Sequence, residues 1–109
     1  MIIVHGFVSY RHAARERALK LFHEIAYTAR HEAGCIRYDV FLGVSGDPTI
    51  FLLQEWQDID SLSSHFRLEG MERLVQSLPE VLDGEINMRR FEIPDVAPMQ
   101  REAPRMVLH

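Results

Sequence analysis

The sequence predicts an α+β fold in which four strands and two helices follow each other in the order βαββαβ. A β-rich run at residues 2–9 comes first, and residues 13–31 then place apolar side chains at three- and four-residue intervals, as on one face of a helix. Two strand patterns, a second helical stretch and a last strand pattern follow. This order is typical of a ferredoxin-like domain, whose four-stranded antiparallel sheet carries both helices on one face.

The first strand, residues 2–9, is apolar at nearly every position, so we expect it to be buried on both faces. Gly6 in its middle indicates either a β-bulge or a group that approaches the backbone closely. The pattern leaves open whether His5 and Phe7 point to a pocket or to a second subunit.

The first helix is predicted over residues 13–31 from one apolar stripe with charged residues around the rest of the wheel. Gly34 follows with the conformational freedom that a helix end needs. Residues 35–42 then alternate as a strand with one buried face, formed by Ile36, Tyr38, Val40 and Leu42. On this pattern Cys35 and Phe41 belong to the other face.

A connecting loop is predicted at residues 43–48, which are rich in glycine, serine and proline, and a third strand at residues 49–57. One side of this strand carries Ile50, Leu52, Gln54 and Trp56, and the other side is also largely apolar. The third strand is therefore expected to be central or covered on both faces.

The second helical stretch begins near Ile59, where Asp58 or Asp60 can cap it. It reaches Phe66, is interrupted near Gly70 and continues to Pro79. A fourth strand is predicted at residues 85–93, which completes a domain of residues 1–93. The proline-containing tail, residues 94–109, is expected to be disordered or to lie on a partner as a dimer arm.

The composition excludes several classes of protein. A length of 109 residues indicates one domain, and the net charge of −4 argues against a broad surface for nucleic acid or anionic membrane. There is no apolar run near the roughly 18 residues of a membrane span, and the N-terminus lacks a basic region and a cleavage site. With a single cysteine, the chain is expected in the cytoplasm.

A homodimer is expected because several strands are apolar on both faces. In the predicted architecture both helices cover one face of the sheet, and no remaining segment is long enough to cover the other. A second copy of the chain can cover it, with the two sheets packed face to face about a two-fold axis.

The segment at His23 begins like the zinc-binding motif HExxH but has Tyr27 at the position of the second histidine, so that motif is not present. His23 and His31 are two helical turns apart, too far to chelate one ion without a third element. No glycine-rich phosphate loop, nucleotide fingerprint or flavin motif occurs either. We therefore expect no metal and no cofactor.

His65 is the strongest candidate for chemistry, because a histidine beside an apolar pocket can accept a phenolic proton near neutral pH. The alternative is a structural histidine bonded to a backbone carbonyl. Trp56 can stack on a planar substrate or serve as a core anchor, and Gln54 can bind a substrate oxygen or be a satisfied core amide. The hydroxyl of Tyr38 is either a substrate contact or a structural hydrogen bond.

Several motifs also occur in a characteristic order. An early strand runs into HAARERALKLFHEIAYTARHE, followed by EAGCIRYDVF, a proline-containing loop and FLLQEWQDIDSLSSHF. From Ile2 to Ile93 the sequence thereby resembles the antibiotic biosynthesis monooxygenase (ABM) domain. The most telling parts are the EAGC motif at residues 32–35 with Tyr38, and Trp56 with His65 nine residues later.

The resemblance implies a dimeric α/β barrel, and family members with known activity include cofactor-independent oxygenases of anthrones and quinols. Trp56 matches a tryptophan that lines the pocket in anthrone-oxidising relatives. His65 matches a histidine that many quinol-oxidising and uncharacterised members carry early in the second helix. Two polar positions of those relatives are apolar here, since Leu52 replaces an asparagine and Leu62 a tyrosine. The haem-degrading branch has a histidine further along this helix, which this chain lacks.

We therefore predict a cofactor-independent monooxygenase that oxidises a quinol- or anthrone-type aromatic with dioxygen, with His65 as proton acceptor and Trp56 beside it. The predicted substrate-binding residues are Tyr38, Gln54, Leu52, Leu62 and Phe66. Two alternatives remain open: a dimeric module that binds an aromatic metabolite without turnover, and an isomerase that needs a base but no oxygen.

Overall fold

The computed structural model describes residues 1–94, and within them it contains a four-stranded antiparallel sheet. The strands are β1 (Ile2–Ser9), β2 (Cys35–Leu42), β3 (Thr49–Trp56) and β4 (Asn87–Glu92), in the spatial order β2-β3-β1-β4. The helices are α1 (Arg15–Arg30), α2 (Ile59–His65) and α3 (Glu69–Gln76), with short 3-10 turns at His12–Ala14 and Leu78–Glu80. The predicted α+β ferredoxin-like fold is confirmed. From residue 95 onward, the predicted tail lies outside the described residues.

The core lies between one face of the sheet and the helices. On this inner face, β1 contributes Ile2, Val4 and Val8, and β3 contributes Ile50, Leu52, Gln54 and Trp56, all buried. They pack against the apolar stripe of α1, where the buried residues are Ala18, Leu21, Phe22, Ile25, Ala26 and Ala29. The stripe predicted from the sequence is thus the face that α1 turns to the sheet.

The expectation that β1 is buried on both faces is wrong for the single chain. Its outer positions Ile3 and His5 are partly exposed, and Phe7 is 55% exposed. The physical reason is that the helices cover only one face of the sheet. His5 and Phe7 therefore belong to the open face, not to the helix-covered one. Gly6 lies in regular register with Leu52 and Met88, so it marks a close approach of side chains and not a bulge.

A β-bulge lies instead at the start of β2, where the register with β3 shifts between Cys35 and Arg37. Cys35 pairs with Trp56 and packs against the core, whereas Ile36 is 53% exposed. The sequence pattern assigned these two residues to the opposite faces, because it assumed unbroken alternation. After the bulge, Tyr38 is buried on the inner face as predicted, opposite Gln54.

The connection from α1 to β2 passes very close to the start of α2. Gly34 has φ of +82°, and a Cβ atom there would lie 2.0 Å from Ser61 Oγ. Only glycine combines this backbone conformation with so close an approach. The Gly34 carbonyl also accepts a hydrogen bond of 2.9 Å from the backbone N–H of Gln57. This contact brings the end of α1, with Glu32 just beyond it, next to α2.

Helix α2 begins at the predicted cap. The carboxylate of Asp58 accepts a hydrogen bond of 2.8 Å from the Ser61 backbone N–H and a further one from the Ser61 hydroxyl. The break between the helical segments falls at residues 66–68 and not at Gly70, which lies in the first turn of α3. Gly70 is exposed on the surface of α3, where a glycine weakens a helix without ending it.

Between residues 1 and 94, none of the helices combines the length and apolar character that crossing a bilayer requires.

Candidate active site

A cavity of about 320 Å³ lies between the inner face of the sheet and the three helices. Most of its walls are apolar, and the polar side chains on it belong to Tyr38, Gln54 and His65. The lining residues are Phe22, Ile25, Tyr38, Leu52, Gln54, His65, Phe66, Met71, Val75, Leu78, Ile86 and Met88. An apolar cavity with a few convergent polar groups is the usual form of a small-molecule site.

His65 occupies the last turn of α2 and is only 3% exposed. Three aromatic rings surround the imidazole, with ring-centroid distances of 4.9 Å to Trp56, 5.0 Å to Phe66 and 5.7 Å to Tyr38. This enclosure fixes the orientation of the ring and keeps bulk water away from it.

The imidazole is held by a buried carboxylate. His65 Nδ1 lies 2.5 Å from Glu32 Oε2, and the Glu32 side chain is 8% exposed. An ionised carboxylate only accepts hydrogen bonds, so Nδ1 carries the proton and donates it to Glu32. In the neutral imidazole the lone pair then lies on Nε2. Among residues 1–94, Nε2 has no hydrogen-bond partner, so the basic nitrogen is available to a ligand.

Burial raises the pKa of Glu32 above its ordinary range, and the hydrogen bond and charge of His65 offset this only in part. The second carboxylate oxygen, Oε1, is buried without a hydrogen-bond partner in the described part of the chain. The Glu32 carboxylate is therefore less well solvated than an ordinary surface carboxylate, and it binds a proton more readily.

Gln54 and Trp56 form a second polar pair on β3. The indole N–H of Trp56 donates to Gln54 Oε1 at 3.0 Å, and both residues are buried. Because an indole nitrogen is a donor only, this bond fixes which end of the amide is oxygen. Since Gln54 lines the cavity, its NH2 group is the part that can donate to a ligand oxygen.

Tyr38 completes the polar groups of the cavity. Its side chain is buried, and this burial raises the pKa of the phenol well above its usual range, with the charge of Glu32 adding to the effect. The hydroxyl is therefore protonated at every physiological pH. It acts as a neutral hydrogen-bonding group and not as a base.

A larger, open cleft of about 680 Å³ lies on the other side of His65. Its walls come from the end of α1, the loop after it and the start of α2, and its lining residues are Thr28, His31, Glu32, Ala33, Asp58, Asp60, Ser61, Ser64, His65 and Leu68. We call it the outer cleft. His65 lines both the outer cleft and the cavity, whereas Glu32 lines only the outer cleft.

The cavity brings together most of the residues singled out in the sequence. Tyr38, Leu52, Gln54, His65 and Phe66 all line it. Trp56 and Leu62 are not among the residues that line the cavity within residues 1–94. Trp56 is fully buried behind His65, and Leu62 is buried on α2.

Sequence reasoning missed the role of Glu32. This residue opens the EAGC motif but is 33 positions from His65, and no helical or strand periodicity connects residues so far apart. One signal could have pointed to Glu32. It is an acidic residue directly after the first helix, and its EAGC motif contains Gly34, which lies very close to Ser61 of α2. Over residues 1–94, the structure has no cluster of three or more His, Cys, Asp or Glu side chains suited to a metal ion.

Comparison with known proteins gives a consistent picture. The family model described as "Antibiotic biosynthesis monooxygenase" matches residues 1–77. The protein named "Putative monooxygenase YcnE" from Bacillus subtilis is 23% identical over 95 residues, which cover 87% of this chain and 100% of that protein.

Solved structures share the same fold. A protein from Deinococcus radiodurans, described as a "putative antibiotic biosynthesis monooxygenase", superposes with a TM-score of 0.82 at 20% identity, over 93% of this chain and 100% of that one. Rv0793 from Mycobacterium tuberculosis gives a TM-score of 0.81 at 20% identity, over 89% of this chain and 98% of that one.

Proposed function

The chain belongs to the antibiotic biosynthesis monooxygenase family, and from this premise we propose that it oxidises a quinol- or anthrone-type aromatic compound with dioxygen, without a metal or flavin. His65 is the proton acceptor in this proposal. The observation that carries it is the buried imidazole whose Nδ1–H is held by Glu32, because this leaves Nε2 as the proton-accepting nitrogen of a residue that lines an apolar cavity.

The first step of such a reaction is the ionisation of a substrate hydroxyl. The O–H bond breaks, its proton moves to His65 Nε2, and the electron pair stays on the substrate oxygen. The resulting anion is electron-rich enough to reduce dioxygen directly. Overall, a quinol and one dioxygen give a hydroxyquinone and one water, so dioxygen is the oxidant and the substrate supplies all the electrons.

The remaining polar groups suit the binding of substrate oxygens. Gln54 and Tyr38 both line the cavity, and the NH2 group of Gln54 and the hydroxyl of Tyr38 are the groups that can donate to a substrate oxygen. Gln54 lies on the same face of β3 as Leu52, two residues away, and so supplies an amide near the position where anthrone-oxidising relatives have an asparagine. Phe66 and Leu52 supply apolar contacts to the ring.

The size of the cavity favours the smaller of the two substrate classes. Its volume of about 320 Å³ lies at the lower end of the range for ligand sites. We therefore propose a one- or two-ring quinol in preference to a three-ring anthrone.

The test is oxygen uptake by the purified protein with a panel of benzohydroquinones, naphthohydroquinones and anthrone, with the products identified by mass spectrometry. Compared with the wild type, His65→Ala should lose about 10²- to 10⁴-fold in rate, the usual contribution of a general base. His23→Ala is the matched control, because His23 is an exposed histidine on α1, and it should retain full activity.

Three other results would contradict this proposal. Equal activity in His65→Ala and the wild type would contradict the role of His65. Turnover that persists under nitrogen would indicate an isomerase, and tight binding of quinols without turnover would indicate a binding module.

We also propose that the functional unit is a homodimer that buries the open face of the sheet. This face carries an aromatic cluster in which Phe51 lies 5.1 Å from Phe7, 6.1 Å from Phe41 and 5.4 Å from His5, measured between ring centroids. Phe7, Phe41 and Phe91 are each exposed in the single chain. An apolar surface of this kind is typical of a subunit interface.

A further inference from the structure

We propose that Glu32 is the terminal acceptor of the substrate proton, so that ionisation of the substrate moves a single buried negative charge from Glu32, through His65, to the substrate oxygen. This inference rests on the proposed function in one respect, the role of His65 as a base toward a hydroxylated aromatic ligand. It does not require that dioxygen reacts.

The first support is the pattern of hydrogen bonds around the carboxylate. A carboxylate that only orients a histidine is stable as an anion when both of its oxygens are hydrogen-bonded. In Glu32 the Oε2 atom contacts Nδ1 of His65, but Oε1 is buried and finds no partner within residues 1–94. The anion is therefore poorly stabilised, and the protonated form is correspondingly easy to reach.

The second support is the absence of a competing acceptor at the imidazole. Among the described residues, the Glu32 carboxylate is hydrogen-bonded to the His65 ring, and three aromatic side chains pack around that ring. Burial keeps Tyr38 protonated, so it cannot take a proton. The carboxylates of Asp58 and Asp60 line the outer cleft. Asp58 accepts the hydrogen bonds that cap α2, and Asp60 has no hydrogen bond to His65.

The third support is the electrostatic cost of the alternative. If the proton stayed on His65, the site would contain a carboxylate, an imidazolium and a substrate anion, all buried together. Each additional buried charge costs free energy. Transfer to Glu32 leaves one charge only, on the substrate oxygen, and the carboxyl group and imidazole are then both neutral.

The transfer balances as follows. The substrate O–H proton moves to Nε2, and the Nδ1 proton moves to Oε2 of Glu32. Two N–H or O–H bonds break and two form, no electron leaves the substrate, and no proton is released to the medium. In the product state Nε2–H donates to the substrate oxyanion and the Glu32 carboxyl donates to Nδ1.

The experiment uses 4-nitrophenol, a phenol that dioxygen does not oxidise and whose anion is visible by its absorbance. The full-length protein is titrated under nitrogen at a pH below the pKa of the free phenol. An indicator dye counts released protons, and difference infrared spectroscopy detects the carbonyl stretch of a protonated carboxyl group. We expect bound nitrophenolate, no released proton and a new carboxyl band that shifts when glutamate is labelled with carbon-13.

Glu32→Gln is the informative variant, because the amide oxygen still accepts the Nδ1 hydrogen bond but the side chain cannot take a proton. We expect the ratio of ionised to neutral nitrophenol in the bound state to fall about tenfold or more and the carboxyl band to disappear. Asp60→Asn is the matched control, since Asp60 lies in the same cleft without a hydrogen bond to His65, and it should keep the band.

Several results would overturn the inference. One is bound nitrophenolate in the wild type with no carboxyl band, and another is equal ionisation in Glu32→Gln and the wild type, which would make Glu32 a positioning residue only. Absence of ionisation in the wild type would also overturn it, together with the base role of His65. Should Glu32→Gln fail to fold, the carbon-13 shift of the wild-type band decides the question. A positive band without oxygen uptake from quinols would support this inference while contradicting the oxygenase.

Discussion

Gln54 both accepts the indole N–H of Trp56 through its side-chain oxygen and lines the cavity. Trp56 is fully buried, so its indole N–H depends on this one acceptor. Removing the acceptor would leave a buried donor without a partner, which costs about 1–3 kcal/mol.

We therefore expect Gln54→Met, which keeps the length of the side chain, to lower the free energy of unfolding by about 1–3 kcal/mol. In the double variant with Trp56→Phe the orphaned donor is gone, so the combined loss should be smaller than the sum of the single losses by about 1 kcal/mol. Urea denaturation of the four proteins measures this cycle.

Leu52→Met is the control on the same strand face, and its loss should stay below about 1.5 kcal/mol. Strict additivity of the Gln54 and Trp56 substitutions would contradict the coupling.

At the scale of single residues, the sequence predicted the members of the cavity better than their partners. Gln54 and Tyr38 are polar residues in apolar strand patterns, which depend only on near neighbours in the chain, and His65 was predicted chiefly from the family resemblance. The Glu32–His65 contact depends instead on how two helices end beside each other in space.

At the scale of elements, the cap of α2 controls the segment that carries His65. The Asp58 carboxylate accepts two hydrogen bonds from Ser61, and these hold its pKa below the ordinary value of 3.8. A carboxyl group whose pKa is lowered by folding stabilises the folded state above its unfolded pKa, and this contribution disappears as the pH falls through its folded pKa.

Asp58→Ala should therefore melt at a lower temperature than the wild type at neutral pH, and the difference should shrink as the pH falls below the ordinary Asp pKa of 3.8. Thermal melts followed by circular dichroism measure the difference. Asp60→Ala is the control, because Asp60 is an acidic residue in the first turn of α2 but Asp58 is the residue that caps the helix. A difference that stays constant with pH would show that the charge of Asp58 is not its source.

Element boundaries were predictable where the signal was local and not where it depended on pairing. The cap at Asp58 and the loop at residues 43–48 are encoded by nearby side chains. The bulge between Cys35 and Arg37 is a property of the pairing of β2 with β3, so an alternating pattern read along β2 alone assigned Cys35 and Ile36 to the wrong faces.

At the scale of the whole molecule, the order of elements was enough to predict the sheet, because few topologies connect βαββαβ without crossings. The order of elements did not predict whether the outer face of the sheet is buried. An apolar strand pattern does not say whether its second face is covered by the same chain or by another. Within residues 1–94 the helices cover only the inner face, and aromatic residues of the outer face such as Phe7 and Phe41 are exposed in the single chain.

Replacing the centre of that cluster should disrupt the proposed dimer. Phe51→Glu would bury a charge from each subunit in an apolar interface, and we expect it to raise the dimer dissociation constant more than about 100-fold. Sedimentation velocity measures this constant. Val44→Glu is the control, because Val44 is a fully exposed apolar residue in the loop between β2 and β3.

A wild-type protein that sediments as a monomer at micromolar concentration would contradict the dimer.

The contact between Glu32 and His65 joins segments that are synthesised at different times, since 33 residues separate them. Before α2 docks, the two side chains are apart, and Glu32 lacks the burial that raises its pKa in the folded protein. The hydrogen-bonded pair of Glu32 and His65 is thus assembled only when the tertiary structure is complete. Under the proposed mechanism, incompletely folded copies do not ionise a phenol, so the amount of ionised bound phenol measures the number of correctly folded molecules in a preparation.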